Sequence, residues 1–248
     1  MLSLDDYLRE AEVAHGHLCA GQVLGVRLAM LGLEKLCIED PRGKDRKRLV
    51  TFVEIDRCAT DAIAVVTGCR LGKRALKFRD WGKMAATFVD LTAKLPSQDD
   101  PSNTNVILSG AATSRSEVAA KSKDPYSLIA GAPLKPAFGL SGSASDSCYK
   151  AIRIAAKESS KALARSMHPE IENKNQQQML AYREMAEDDL FTKQWVKVEL
   201  PAEEFPGYKG DRIVCAECGE GINFHREVER DGKVLCRGCA GEKYYETM

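Results

Sequence analysis

The chain of 248 residues is poor in histidine, in net charge and in long apolar runs, and each scarcity narrows what it does. Lys and Arg number 36 and so do Asp and Glu, so no overall field draws it to nucleic acid or an anionic membrane. No segment approaches the roughly 18 uncharged apolar residues of a spanning helix; the most apolar stretch, 24–33, is broken by Arg27. The N-terminal MLSLDDYLRE has neither a basic start nor an apolar run, so it reads as no signal peptide. The expectation is a soluble cytoplasmic protein without a membrane partner. No internal repeat is visible. Only four histidines occur, and two of them fall in one stretch, His15-Gly16-His17-Leu18-Cys19.

Cysteine, by contrast, is abundant. There are nine, an odd number, which in a reducing compartment points to metal ligation or catalysis rather than a disulfide framework. Four stand as Cys215-x2-Cys218 and Cys236-x2-Cys239, separated by seventeen residues. Two such knuckles close a tetrahedral four-thiolate site, so these four are expected to bind a structural zinc. About thirty residues build no sufficient core alone, and the metal would supply the folding energy. Asp231-Gly232 between the pairs marks a hairpin turn. His225 lies in the gap and reads as a surface residue. Basic residues of the module (Arg226, Arg230, Lys233, Arg237, Lys243) are offset by Glu217, Glu220, Glu227, Glu229, Asp231 and Glu242. Nucleic-acid binding is therefore not favoured.

Taken in order, the N-terminal part alternates helix and strand patterns. Ser3 with Asp6 makes an acidic capping box for a helix with Leu4, Leu8, Ala11 and His15 on one stripe, stopped by Gly16. A second helix spans about 20–35, apolar nearly all round, with Cys19 at its start, where the helix dipole favours a thiolate. Residues 49–55 read as a strand with Glu54 on the face of Val50 and Phe52, followed by a short helix from Thr60 or Asp61 to Val66, ended by Gly68. Cys58 precedes that helix and Cys69 follows it; a short helix between them is expected to return both thiols to one place. Residues 75–79 and 84–91 read as strands joined by a turn at Asp80–Lys83. The stretch 150–154 is a strand that pairs with 88–91 if the intervening polar segment is an insertion at a hairpin tip. Helices are expected at 156–167 and 175–190 and a strand at 195–200. The fold class is α+β: a mixed helix and sheet core over 1–200 with a flexible or lid-like insertion at about 95–148, a linker at 201–211, and a small zinc-finger module at 212–248.

His17, Cys19, Cys58 and Cys69 sit at element ends, where sites are usually built, and form a candidate core pocket for a second zinc or another transition metal. Cys19 and Cys58 are also candidate nucleophiles, with His15 packed behind them. Glu54, Asp61 and Lys73 are available to tune the group. Cys37 and Cys148 receive no role. Thr67-Gly68-Cys69-Arg70-Leu71-Gly72-Lys73-Arg74 has the look of a phosphate loop, but one residue is missing between its glycines. Arg74 stands where Ser or Thr would bind magnesium, so a nucleotide-binding P-loop is rejected.

These residues carry a resemblance. His-Gly-His-Leu-Cys-Ala-Gly at 15–21, with Gly25 and Arg27, resembles the opening motif of the family of the E subunit of formylmethanofuran dehydrogenase. Cys58-x2-Asp61-Ala62-Ile63, Thr67-Gly68-Cys69, Gly72-Lys73 and Asp80-x-Gly82-Lys83-x-Ala85 resemble its continuation. The likeness covers about 5–92, resumes near 150–200 and includes the zinc module. It implies an α+β core, a treble-clef-type finger, a homodimer, and a pocket of His15, His17, Cys19, Cys58 and Cys69. It departs at Ala20, where the family usually has Pro, and at Ala64, where Gln is common. It also implies association with the subunits of a molybdenum or tungsten oxidoreductase of one-carbon metabolism and methanogenesis. Three functions follow as expectations: a metal-binding accessory protein, a stand-alone thiol- or metal-dependent enzyme acting on a small molecule, and a zinc-finger regulatory or scaffold protein.

Overall fold

The computed structural model describes residues 1–95 and 147–248. The expected insertion at about 95–148 thus lies almost wholly outside the described residues. Helix α1 (Leu4–His15) starts on Ser3, whose hydroxyl accepts from the Asp6 N–H at 3.2 Å. It ends on Gly16 with φ 93°, a left-handed stop that favours glycine. Helix α2 (Ala20–Lys35) follows after four residues and is buried nearly all round, as its unbroken apolar composition requires. The charge at Arg27 has a purpose there. Its guanidinium donates to the carbonyls of Tyr182 (2.7 Å) and Met185 (2.6 Å), free carbonyls at the end of α5 (Lys174–Glu184).

Strand β1 (Leu49–Val53) belongs to a five-stranded sheet ordered β2-β1-β3-β4-β5, with β2 at Leu76–Phe78, the central β3 at Ala85–Lys94, β4 at Ser147–Ala156 and β5 at Phe191–Leu200. All neighbours are antiparallel except β1 and β2. The anticipated pairing across the insertion is present, Phe88 opposite Ile152 and Val89 opposite Ala151. The anticipated turn between β2 and β3 is not a hairpin turn: the two strands flank β1 instead. The connector crosses the end of β1, where the Trp81 and Lys83 N–H groups both donate to the Glu54 carbonyl at 3.3 and 3.0 Å. Short strands on either side of a crossover look like a hairpin when only their spacing is read.

Pleating splits the side chains between two cores. Leu49, Val53, Ala86, Phe88, Ile152 and Ile154 join the helices in the main cluster. Val50, Val89, Tyr149, Ala151 and Leu200 form a second, covered by Phe205. Phe205 meets the Tyr149 ring edge-on at 5.8 Å. Glu54 belongs on this second side, where Arg153 grips it bidentately at 2.7 and 2.6 Å. Its buried carboxylate is therefore a structural ion pair, away from the histidines. Helix α3 (Cys58–Thr67) packs on α1 and α2, α4 (Ser159–Met167) on α5, and the short α6 (Glu187–Leu190) leads into β5. The expected helix at 175–190 is thus two helices, broken at Met185, whose φ of −56° and ψ of 138° leave the helical region.

The C-terminal module contains two hairpins, β6 (Ile213–Val214) with β7 (Gly221–Ile222) and β8 (Val228–Arg230) with β9 (Lys233–Leu235). Asp231 and Gly232 both have positive φ, 51° and 73°, which is the primed turn their sequence demands. The linker is fastened to the core: Lys77 Nζ donates to the Glu204 carbonyl and carboxylate at 2.7 and 2.6 Å, and Arg74 donates to the Glu203 carbonyl. Arg74 also stacks 3.7 Å over the Phe224 ring of the module. Among the described residues no helix is long and apolar enough to cross a membrane.

Candidate metal centres

Among the described residues two groups of soft ligands are assembled. In the C-terminal module Cys215, Cys218, Cys236 and Cys239 bring their sulfurs within 4.8 Å of one another. The Cys218 and Cys236 sulfurs are 3.9 Å apart, close to the roughly 3.8 Å edge of a zinc–thiolate tetrahedron with bonds of about 2.3 Å. Backbone N–H groups of Cys236 and Cys239 donate to the sulfurs of Cys215 (3.2 Å) and Cys236 (3.4 Å), the bonding of a metal knuckle. Backbone N–H donors pull the Cys215 thiol down to about 6, whereas its bond to Cys236, burial and the other sulfurs push Cys239 up to about 12. Four sulfurs this close cannot all ionise without a cation between them, so the donor set fits zinc. His225 is no part of it; its Nε2 meets the Tyr208 hydroxyl at 3.0 Å.

The second group sits at the junction of α1 and α2. His15, His17 and Cys19 each place a ligand atom within 4.8 Å of the others. His15 is the last residue of α1 and Cys19 the N-cap of α2, so the left-handed Gly16 turn folds the two ends together. Gln22 ties the helices, its buried Nε2 donating to the Ala11 carbonyl at 2.9 Å. His15 Nδ1 lies 2.8 Å from Asp61 of α3, which leaves Nε2 as the nitrogen free for a metal. A carboxylate on the far nitrogen is the usual way of orienting a metal-binding imidazole. His15 therefore stands in the group itself, not behind it. The His15 and His17 rings are 4.9 Å apart and His17 is exposed, so one side of the group is open.

Cys58 borders this group. It is the first residue of α3 rather than a residue ahead of it. Gly21 lies between the two thiols: a Cβ there would meet Cys58 Cβ at 3.3 Å and Cys19 Sγ at 3.7 Å. Burial, and then the Cys19 thiol, push the Cys58 thiol up, so the helix start does not make it an acidic thiol. Cys69 is elsewhere. Ten residues of α3 span about 15 Å, and Cys69 lies past the far end, buried, with the Thr51 hydroxyl donating to its sulfur at 3.5 Å. The expectation that a short helix returns both thiols to one place is corrected by the helix itself, which separates its ends. Burial pushes the Cys69 thiol up, as suits a core residue.

One participant was not foreseen. Asn175 of α5 accepts the Ala20 N–H through Oδ1 at 3.2 Å and so caps α2 in place of Cys19, whose side chain makes no capping bond. Ala20 stands where the resembled family has proline, which has no N–H to give. That departure was the available signal, though nothing pointed to Asn175.

Comparison with known proteins agrees with these parts. Residues 14–122 match the family model FmdE, Molybdenum formylmethanofuran dehydrogenase operon. Residues 208–245 match the prokaryotic dksA/traR C4-type zinc finger. Residues 14–122 thus resemble the FmdE family. A solved structure, that of a tungsten formylmethanofuran dehydrogenase FmdE-like protein from Syntrophus aciditrophicus, aligns over 99% of this chain and 96% of that one. Its TM-score is 0.52 at 15% identity, a likeness of fold. A probable S-adenosyl-L-methionine-binding protein of Archaeoglobus fulgidus is 40% identical over 83 residues. That match spans 33% of this chain but only 23% of the relative's length. The chain thus joins an FmdE-like mixed helix and sheet core to a C4 zinc finger, and it is a metal-binding protein.

Proposed function

We propose that the FmdE-like core holds a second transition metal through His15, His17 and Cys19, with Cys58 as an adjoining thiol, and that the chain serves as an accessory factor. Its partner would be a molybdenum or tungsten enzyme of one-carbon metabolism. The observation that carries the metal reading is the convergence of three ligand atoms within 4.8 Å, one imidazole oriented by Asp61 and one side open. The description of the family model, which names a formylmethanofuran dehydrogenase operon, supports the partner. A transition metal held there supplies Lewis acidity at an open position. The residues' own part is to orient it: Asp61 fixes the His15 tautomer, the α1–α2 turn sets the spacing, and Gly21 admits Cys58 beside Cys19. The homodimer implied by the family resemblance belongs to the same reading.

Metal content of the purified full chain tests this. Wild type should hold two metals per chain, a Cys215→Ser/Cys218→Ser variant one, and a His17→Ala/Cys19→Ser variant only the finger zinc. A folded finger variant that binds no metal would overturn the core site.

A further inference from the structure

The end of α3 opposite the histidines opens on a groove of about 1370 Å³, large enough for more than a drug-sized ligand. Its walls are α1, the loop after α2, the segment 67–75 and the linker at 205–207. In a chain of zero formal charge this lining is one-sided, with six Arg and Lys against the single acid Glu10. Arg42 is paired with Glu10, and Arg9 with Asp6 at 2.5 Å. Arg46, Lys47, Arg70 and Lys73 are exposed and have no carboxylate partner among the described residues. Like charges gathered without counter-charges repel, and an anionic ligand would relieve that repulsion.

The other half of the lining is apolar: Val13, Pro41, Leu91 and Phe205. Val13 is 85% exposed although it lies on a helix that buries its other face. A ligand that matches both halves has a compact polyanionic end and a flat apolar end.

We propose that this groove binds a nucleotide-like organic polyphosphate, with Arg46, Lys47, Arg70 and Lys73 on the phosphates and the Phe205 side against the planar ring. The segment 67–74, whose glycines and lysine resemble a phosphate loop, supplies two of the four cations. It is no P-loop: it follows the C-terminal end of α3, whose carbonyls face an anion unfavourably. Side-chain charge, not helix amides, does the binding. The groove's wall reaches back along α1 to Val13 and Ala14, next to His15, but its four free cations come from the loop after α2 and the segment after α3 and include none of the residues of the His15–Cys19 group, so the site stands whether or not that group holds metal.

The test uses zinc-loaded full-length protein, titrated calorimetrically at about 0.1 M salt with ADP, pyrophosphate and adenosine. ADP should bind tightest. Arg46→Glu/Lys47→Glu and Arg70→Glu/Lys73→Glu should each weaken it tenfold or more, while the equally charged control Lys150→Glu/Lys197→Glu leaves it unchanged. A second measurement needs no variant: ADP should slow acylation of the Lys47 and Lys73 amines and not of Lys197. Equal ADP affinity in groove and control variants, pyrophosphate binding as tightly as ADP, lysines that ADP does not protect, or binding of polynucleotide without ADP would each overturn the proposal.

Discussion

Gly25 is the tightest point between α2 and α3, the helices at whose starts Cys19 and Cys58 stand. A Cβ there would lie 2.5 Å from the Ala59 carbonyl oxygen, 2.8 Å from the Ala59 Cα and 2.9 Å from the Ala62 Cβ. Two of these are backbone atoms, so no side chain can swing away. Ordinary contact lies about 0.9 Å further out, and α3 would have to move bodily. Overpacking of this kind costs about 1 to 3 kcal/mol. Alanine returns about 0.8 to 1 kcal/mol through helix propensity. Because the two closest atoms are backbone, the upper end of that cost applies, and the net expectation for Gly25→Ala is a loss of about 2 kcal/mol and a melting point lower by roughly 4 to 8 °C. Gly21→Ala, one turn earlier, is the control. Its nearest neighbour is the Cys58 Cβ at 3.3 Å, so stability should hold or rise by up to about 1 kcal/mol. Core metal affinity should fall as Cys58 yields. Thermal melts and urea titrations of zinc-loaded protein check both. If Gly25→Ala melts at or above the parent temperature, the helices are not in fixed contact and this account of the site is wrong.

Three further outcomes can be measured. Asp61→Asn removes the carboxylate on His15 Nδ1 and should weaken core metal binding by about 10- to 100-fold, read by competition with a chromophoric chelator; an unchanged affinity would show that His15 is not a ligand. Asp90 should contribute acid-sensitive stability: burial pushes its carboxyl up, but bonds from Arg48 (2.7 Å) and Thr92 (2.7 Å) outweigh this and hold it below its ordinary value. The contribution is present above the unfolded pKa of about 3.9 and is lost as pH falls through the lower folded value. Asp90→Asn should flatten urea stability against pH below about 4, and a profile parallel to wild type would refute the pairing. Chelation strong enough to strip zinc should unfold residues 213–248 while leaving the core intact; amide exchange that stays protected in the module after metal loss would contradict the zinc-dependent fold.

The parts legible in the sequence were those set by local chemistry. Ser3, Gly16 and the apolar run after Cys19 mark α1 and α2 because caps and periodicity act over a few residues. The four-cysteine spacing specifies its site because each knuckle is local. What could not be read depends on long-range placement. Nothing near Glu54 announces that Arg153, 99 residues away, will neutralise it. The crossover of β1 between β2 and β3 leaves the same alternation as a hairpin. Cys69 shares its residue type with Cys58 but not its surroundings, and only the length of α3 tells them apart. The basic groove was invisible because its cations come from the loop after α2 and the segment after α3, each ordinary when read alone.

The linker reads in sequence as the place to divide the chain, but Phe205 is packed on Tyr149 and covers the second apolar cluster of the sheet. A core ended at residue 200 would lose that cover and present Val50, Val89 and Tyr149 to water. Such a fragment should self-associate, whereas one ended after Gly207 should stay monodisperse. For anyone dissecting this protein, or for a lineage exchanging one finger for another, the transferable boundary lies seven residues later than composition suggests. The first stretch of apparent linker travels with the core.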